Sequence, residues 1–155
     1  MENFITDIKT KINNANTLPE LAQQFLWTLA KNTNCTQGAL YVTQNELLKF
    51  IEGYAFHLTE GENLDIEVGD GITGQVAKDG KFINIDNVPE GYLTVLSGLG
   101  TSSPTNLLVY PFKDNGYGNV VAIIELASFE KITSQQIDVI THLNDVFVSK
   151  LISLK

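Results

Sequence analysis

The sequence predicts an α+β domain in which a mainly antiparallel sheet carries long helices on one face. Three observations predict it. Apolar residues recur at helical spacing at both ends of the chain, whereas the middle holds segments rich in Leu, Val, Ile, Tyr and Phe. Those segments come in neighbouring pairs separated by short polar turns, and strands joined by a hairpin cannot be parallel. The chain has 155 residues, 43% of them apolar, which suits a single core and leaves no room for a second.

Phe4, Ile5, Ile8 and Ile12 place an amphipathic helix over residues 2–14, ending in Asn13-Asn14-Ala15-Asn16. We therefore divide the chain into an N-terminal helix, 1–16, and a single domain, 17–155. Thr17 and Glu20 have capping-box spacing around Pro19, and Leu18, Leu21, Ala22, Phe25, Leu26 and Leu29 form a broad apolar face, so a second helix should run to about Lys31. Ala39 to Thr43 and Leu47 to Phe56 read as a hairpin turning at residues 44–46. Residues 57–70 are polar and acidic; 71–78 suit a short helix stopped by Asp79-Gly80, and 82–85 resume strand character. The stretch 87–106 is long and irregular, and such stretches inside a compact domain are usually lids or binding loops. Leu107 to Phe112 and Val120 to Ala127 form two more strands joined across Asn115-Gly116, a strong hairpin signal. Thr133 and Gln136 complete a second capping box, opening one continuous final helix.

Composition excludes several functions. The net charge is −8 and every cation is a lysine, so no arginine is present to grip phosphate bidentately, and neither nucleic acid nor an anionic membrane is expected as a partner. The lone Cys35 allows no disulfide framework, redox pair or thiolate cage, which points to a reducing, cytoplasmic setting. Residues 1–10 contain no apolar stretch long enough for a signal peptide, so none is expected, and the most apolar run, 120–127, contains Glu125. Asn34-Cys35-Thr36 fits the glycosylation pattern, which is idle without secretion.

Motifs that resemble catalytic chemistry fail on context. Gly69-Asp70-Gly71-Ile72-Thr73-Gly74 spells a dinucleotide fingerprint, but a polar loop precedes it and its helix spans only about two turns, so the glycines read as conformational, with helix-start amides that attract an anion. His57 and His142 have no metal-ligand spacing, Cys35 has no histidine signature around it, and no GxSxG elbow is present. No catalytic residues, no metal ligands and no enzymatic activity are expected. Glu125 differs. Strand alternation puts it with Val121, Ile123 and Ala127 in the most apolar segment, where a charged carboxylate needs partners: the 97–105 loop or a ligand cavity. The final helix carries two apolar stripes, Ile137/Ile140/Phe147/Leu151/Leu154 and Val139/Leu143/Val146. The second stripe calls for the first helix of the chain or a second copy, and an isologous dimer is expected.

With these elements in place, residues from about Thr17 to Ile152 resemble a GAF domain, a small-molecule sensor module related in fold to PAS domains. The resemblance rests on the 69–77 segment opening the short helix, on Ile83-Asn-Ile-Asp86-Asn-Val-Pro89, and on Ser97-Gly-Leu-Gly100-Thr-Ser-Ser-Pro104. Leu108-Val-Tyr-Pro111, the 121–129 segment and the helix after Thr133 continue it. It implies five to six antiparallel strands, terminal helices on one face and a ligand pocket under the long loop on the other. The pocket would involve Ile72, Thr73, Gly74, Ile85, Asp86, Tyr92, Leu96, Ser97, Ser102, Tyr110 and Glu125.

By that resemblance the chain is a regulatory domain of a bacterial signalling system, sensing a small molecule of unknown identity. Pocket occupancy would pass to terminal helices in a homodimer and on to an output protein or domain; no cofactor is identified. The Asn-Lys-Phe-Asp-Glu set of cyclic-nucleotide-binding members is not recognisable, and Cys35 precedes the first strand, away from where bilin-binding members carry their cysteine. Two alternatives are a ligand-free dimerisation scaffold and a free methionine sulfoxide reductase, an activity that family members perform with several cysteines.

Overall fold

The two ends of the chain are helical and the middle forms one sheet, in a computed structural model that describes residues 2–55, 63–86, 106–116 and 118–155. Helix α1 spans Glu2–Asn14 and α2 spans Leu18–Asn32, the latter opened by Thr17, whose hydroxyl accepts from the Glu20 amide at 3.2 Å. Strands β1 (Gln37–Gln44) and β2 (Leu47–Tyr54) form the first hairpin, with Asn45 left-handed in its turn. A two-residue strand β3 (Ile66–Glu67) follows, then α3 (Gly71–Asp79), β4 (Ile83–Ile85), β5 (Asn106–Lys113) and β6 (Val120–Ser128). The chain closes with α4 (Ser134–His142) and α5 (Asn144–Ser153).

All pairings are antiparallel and the sheet order is β3-β2-β1-β6-β5-β4. Alternation along the central strands divides the core in two. One face meets α1, α2, α4 and α5 through Leu40, Val42, Leu108, Phe112, Ile124 and Leu126; the other meets α3 through Ala39, Tyr41, Leu107, Val109, Ile123 and Ala127. On the helical face Phe25 stacks on Phe147 at 4.1 Å between ring centroids and meets Phe112 edge-on at 5.4 Å.

Three features depart from the sequence reading, each for a local reason. The final helix is two helices, because Leu143 ends α4 on 3₁₀-type geometry and Asn144 turns inward. The Asn144 carboxamide accepts from the Lys113 amide at 3.0 Å and donates to the Lys113 carbonyl at 2.9 Å, acting as a substitute strand partner at the end of β5. Strands β5 and β6 are joined by a six-residue connection whose 3₁₀ turn holds Asn115 left-handed, rather than by a two-residue turn at Asn115-Gly116. Val121 has no cross-strand partner where the register slips between Phe112 and Lys113, so it packs with the helical face instead of with Glu125. Both apolar stripes of the last helices are used within the chain. Val139 and Leu143 join the same core as Ile8 and Ile12 of α1, and Lys150 Nζ donates to the Asn13 carbonyl at 3.0 Å.

Candidate functional site

On the α3 face of the sheet, Glu125 is a buried carboxyl whose partners among the described residues are hydroxyls rather than charges. Glu125 lies on β6 between its cross-strand partners Ala39 and Val109. Both are apolar, so the carboxyl takes its hydrogen bonds from the hydroxyls of Tyr41, two residues along β1, and Thr73 on α3. Burial pushes Glu125 above the usual carboxylate range, and the two hydroxyls pull the other way without cancelling it.

The sign of the pH dependence follows. Between 4.5 and the raised folded value, the folded protein keeps a proton that the unfolded chain has lost, so Glu125 removes stability as pH rises through that window. Glu125→Gln keeps the shape without the charge. In urea titrations from acid to neutral pH, the variant should gain on the parent by on the order of 1 kcal/mol for each pH unit of the window. Parallel pH profiles would show that Glu125 does not titrate there.

Thr73 is placed by the glycine-rich turn before and within α3. Gly69 and Gly71 have positive φ, at 98° and 63°, as a tight entry into the helix demands. Gly74 sits where an added Cβ would come within 2.6 Å of the Glu67 carbonyl, so only glycine lets α3 lie this close to β3. The Gly69 amide donates to the Gly74 carbonyl and the Gly74 amide to the Asp70 carbonyl, at 2.8 and 2.9 Å. These backbone groups close the turn on itself and turn the buried Thr73 towards the sheet.

A second polar cluster lies where β4 ends and β5 begins. Asn106, 2% exposed, points Nδ2 at Asn84 Oδ1, the Ile85 carbonyl and Asp86 Oδ1, at 3.0, 2.9 and 3.2 Å. Its Oδ1 accepts from the Ile132 amide at 3.0 Å, and Asn84 Nδ2 returns a bond to the Ile132 carbonyl at 2.9 Å. Lys131 pairs with Asp86 at 3.2 Å. Asn106 thus joins the end of β4 to the connection that enters α4.

The structure brings part of the expected residue set together. Thr73 and Glu125 are hydrogen-bonded, Ile72 packs in the α3-side core, and Gly74 holds α3 against the sheet. Alternation places Ile85 on the same face as Ile83, half-buried, while Asp86 is exposed within the Asn106 cluster. Tyr110 is corrected: it points to the opposite face, donates to Thr141 Oγ1 at 2.9 Å and packs with Phe112, because its neighbours Val109 and Pro111 take the other parity along β5. Tyr92, Leu96, Ser97 and Ser102 lie outside the described residues, as does the 97–105 loop suggested as a partner of Glu125. Tyr41 and Asn106 were missed. The alternation of Ala39 and Tyr41 held the signal for the first, but using it requires the β1–β6 register; Asn106, at the end of a polar stretch, carried none.

Cys35 is buried on the helical face, with Sγ 2.9 Å from Thr33 Oγ1. Burial pushes its thiol up to about 11, against the Thr33 contact that lowers it. Among the described residues no group of three or more His, Cys, Asp or Glu could hold a metal ion, and no helix is long and apolar enough to cross a membrane.

Solved structures of the same shape come from different proteins. The GAF domain of a phosphoenolpyruvate-protein phosphotransferase from Coxiella burnetii matches with a TM-score of 0.81 at 14% identity, over 98% of this chain and 92% of that one. The corresponding domain from Acinetobacter gives 0.80 at 12%, over 98% and 92%. The free methionine-R-sulfoxide reductase of Neisseria meningitidis, solved with its substrate, gives 0.74 at 11%, over 99% and 89%. At these identities the likeness is one of fold. No curated protein matches the sequence. The family model of the GAF domain matches residues 17–147, which cover α2 to the middle of α5, and the chain belongs to the GAF-domain family.

Proposed function

We propose that this chain is a cytoplasmic regulatory domain that senses a small molecule on the α3 face of the sheet and passes its occupancy to the terminal helices of a homodimer. The observation that carries the reading is the Asn106 cluster. Ile85 and Asp86, at the edge of the proposed pocket, share one buried side chain with the Ile132 amide, two residues before α4. A ligand that prefers one setting of Asp86 would thereby prefer one setting of α4, and differential affinity of that kind is what a sensor requires. Ile152 on α5, 46% exposed, offers apolar surface to a second copy, and an output protein or domain would read the helices. Native mass spectrometry of the purified chain tests the proposal: a dimer carrying an excess mass that Glu125→Leu removes is expected. A bare monomer in both forms would overturn it.

Cys35 favours regulation over reductase chemistry. Attack on a sulfoxide needs an accessible thiolate, whereas this thiol is buried and held up to about 11. Native protein at pH 8 should react with iodoacetamide on the order of 100-fold more slowly than urea-unfolded protein. Equal rates, together with turnover of free methionine sulfoxide, would favour the enzyme.

A further inference from the structure

We propose a second small-molecule site, at the helix-bearing side of the β4 edge, that takes a planar aromatic anion. It stands independently of the sensing reading and uses no residue of the Glu125 site. A groove of about 560 Å³ opens there between the loop after α3, the end of β5 and the α4–α5 junction, a size within the usual range for small-molecule sites.

Its floor is an aromatic stack. One step beyond the last β4–β5 pair, Ile83 with Val109, Phe82 comes beside Tyr110 with centroids 5.9 Å apart and rings 19° from parallel. Tyr110 is held from below by its bond to Thr141. Phe82 is 47% exposed, and a third planar ring would extend the stack.

The charge comes from two lysines. An added Cβ at Gly80 would lie 3.4 Å from Lys113 Cε and 3.6 Å from its Nζ, which sets the Lys113 ammonium beside the loop that carries Lys81. The ion pairs among the described residues are Lys11–Asp7, Lys49–Asp65 and Lys131–Asp86, so both groove lysines stand outside them. Asp145 on the rim accepts from Asn144 Nδ2 at 3.1 Å. Among the described residues the groove sets two lysine cations against the single carboxylate of Asp145, beside a half-exposed ring, a local exception in a chain of net charge −8 that selects for an anion.

The neutral polar side chains of the groove are already committed. Thr141 donates to the Ile137 carbonyl and accepts from Tyr110, and Asn144 serves the Lys113 backbone. The site therefore reads flatness and charge, supplied equally by an aromatic carboxylate or an aryl phosphate.

Backbone amide NMR titration of the whole chain tests this. Indole-3-acetate and phenyl phosphate are the probes, indole-3-acetamide the uncharged control and inorganic phosphate the ringless one. Saturable shifts are expected at Lys81, Phe82, Lys113 and Thr141 with either anion, the tighter one naming the head group. Each control, and each of the exposed-site variants Phe82→Ala and Lys81→Glu, should bind about 10-fold more weakly. Added salt should weaken the anions and leave the amide unchanged. No saturation by about 10 mM probe, equal binding of the amide, or shifts centred on Thr73, Gly74 and Glu125 would overturn the proposal.

Discussion

Phe25→Ala is expected to lower the stability of the domain by about 3–5 kcal/mol. Phe25 is fully buried in the middle of α2, where it stacks on Phe147 of α5 and meets Phe112 of β5 edge-on. Removing the ring leaves a cavity between α2, α5 and the sheet, and close-packed surroundings relax only partly to fill it. The loss also removes one of the contacts between the N-terminal and C-terminal helices, the stack of Phe25 on Phe147. Trp27, two residues on, makes the contrast: it is 37% exposed and keeps an edge contact with Tyr54 and a bond to the Gly53 carbonyl, so Trp27→Ala should lose clearly less. Urea unfolding of the two variants checks both values. A loss below about 1 kcal/mol for Phe25→Ala would mean that the aromatic layer is not the centre of the core.

What the sequence made legible was local. Helix starts at Thr17 and Thr133, the apolar face of α2 and the strand pairs were visible because caps and periodicity are written in neighbouring residues. Register is not. The pairing of Ala39 with Glu125 and the slip at Phe112 are set by how β1, β5 and β6 meet, which is why Tyr41 escaped notice, Val121 was assigned to the wrong face and Tyr110 was counted in the pocket. The break at Leu143 was hidden for a related reason. Residues 134–153 keep helical periodicity through it, and only the need of the Lys113 backbone for a partner, far away in sequence, explains the inward turn of Asn144. Glu125 was legible as an anomaly, since a carboxyl in an apolar run must be answered by something; that the answer was two hydroxyls, one from each side of the α3–sheet gap, required the fold.

Asn106→Leu is expected to reduce stability by about 3–4 kcal/mol, since leucine fills the volume but leaves the Ile132 amide and the Ile85 carbonyl without their partner at about 1–3 kcal/mol each. Asn106→Asp separates the two halves of that effect. It retains an acceptor for Ile132 but turns a second oxygen towards Asn84 Oδ1, the Ile85 carbonyl and Asp86 Oδ1, where only a donor fits. The aspartate should therefore loosen the β4 side while the Ile132 bond survives, and the leucine should loosen both. Hydrogen exchange read at Ile132 to Ile137 and at the β4 amides distinguishes them. If Asn106 links the proposed pocket to α4, faster exchange at the start of α4 accompanies the leucine variant well below global unfolding, and the aspartate variant shows it at β4 alone. Phe25→Ala supplies the reference, because a core cavity raises exchange everywhere through global opening. Should Asn106→Leu behave in that same uniform way, Asn106 would be a structural asparagine and the route from β4 to α4 would have to run through some other contact.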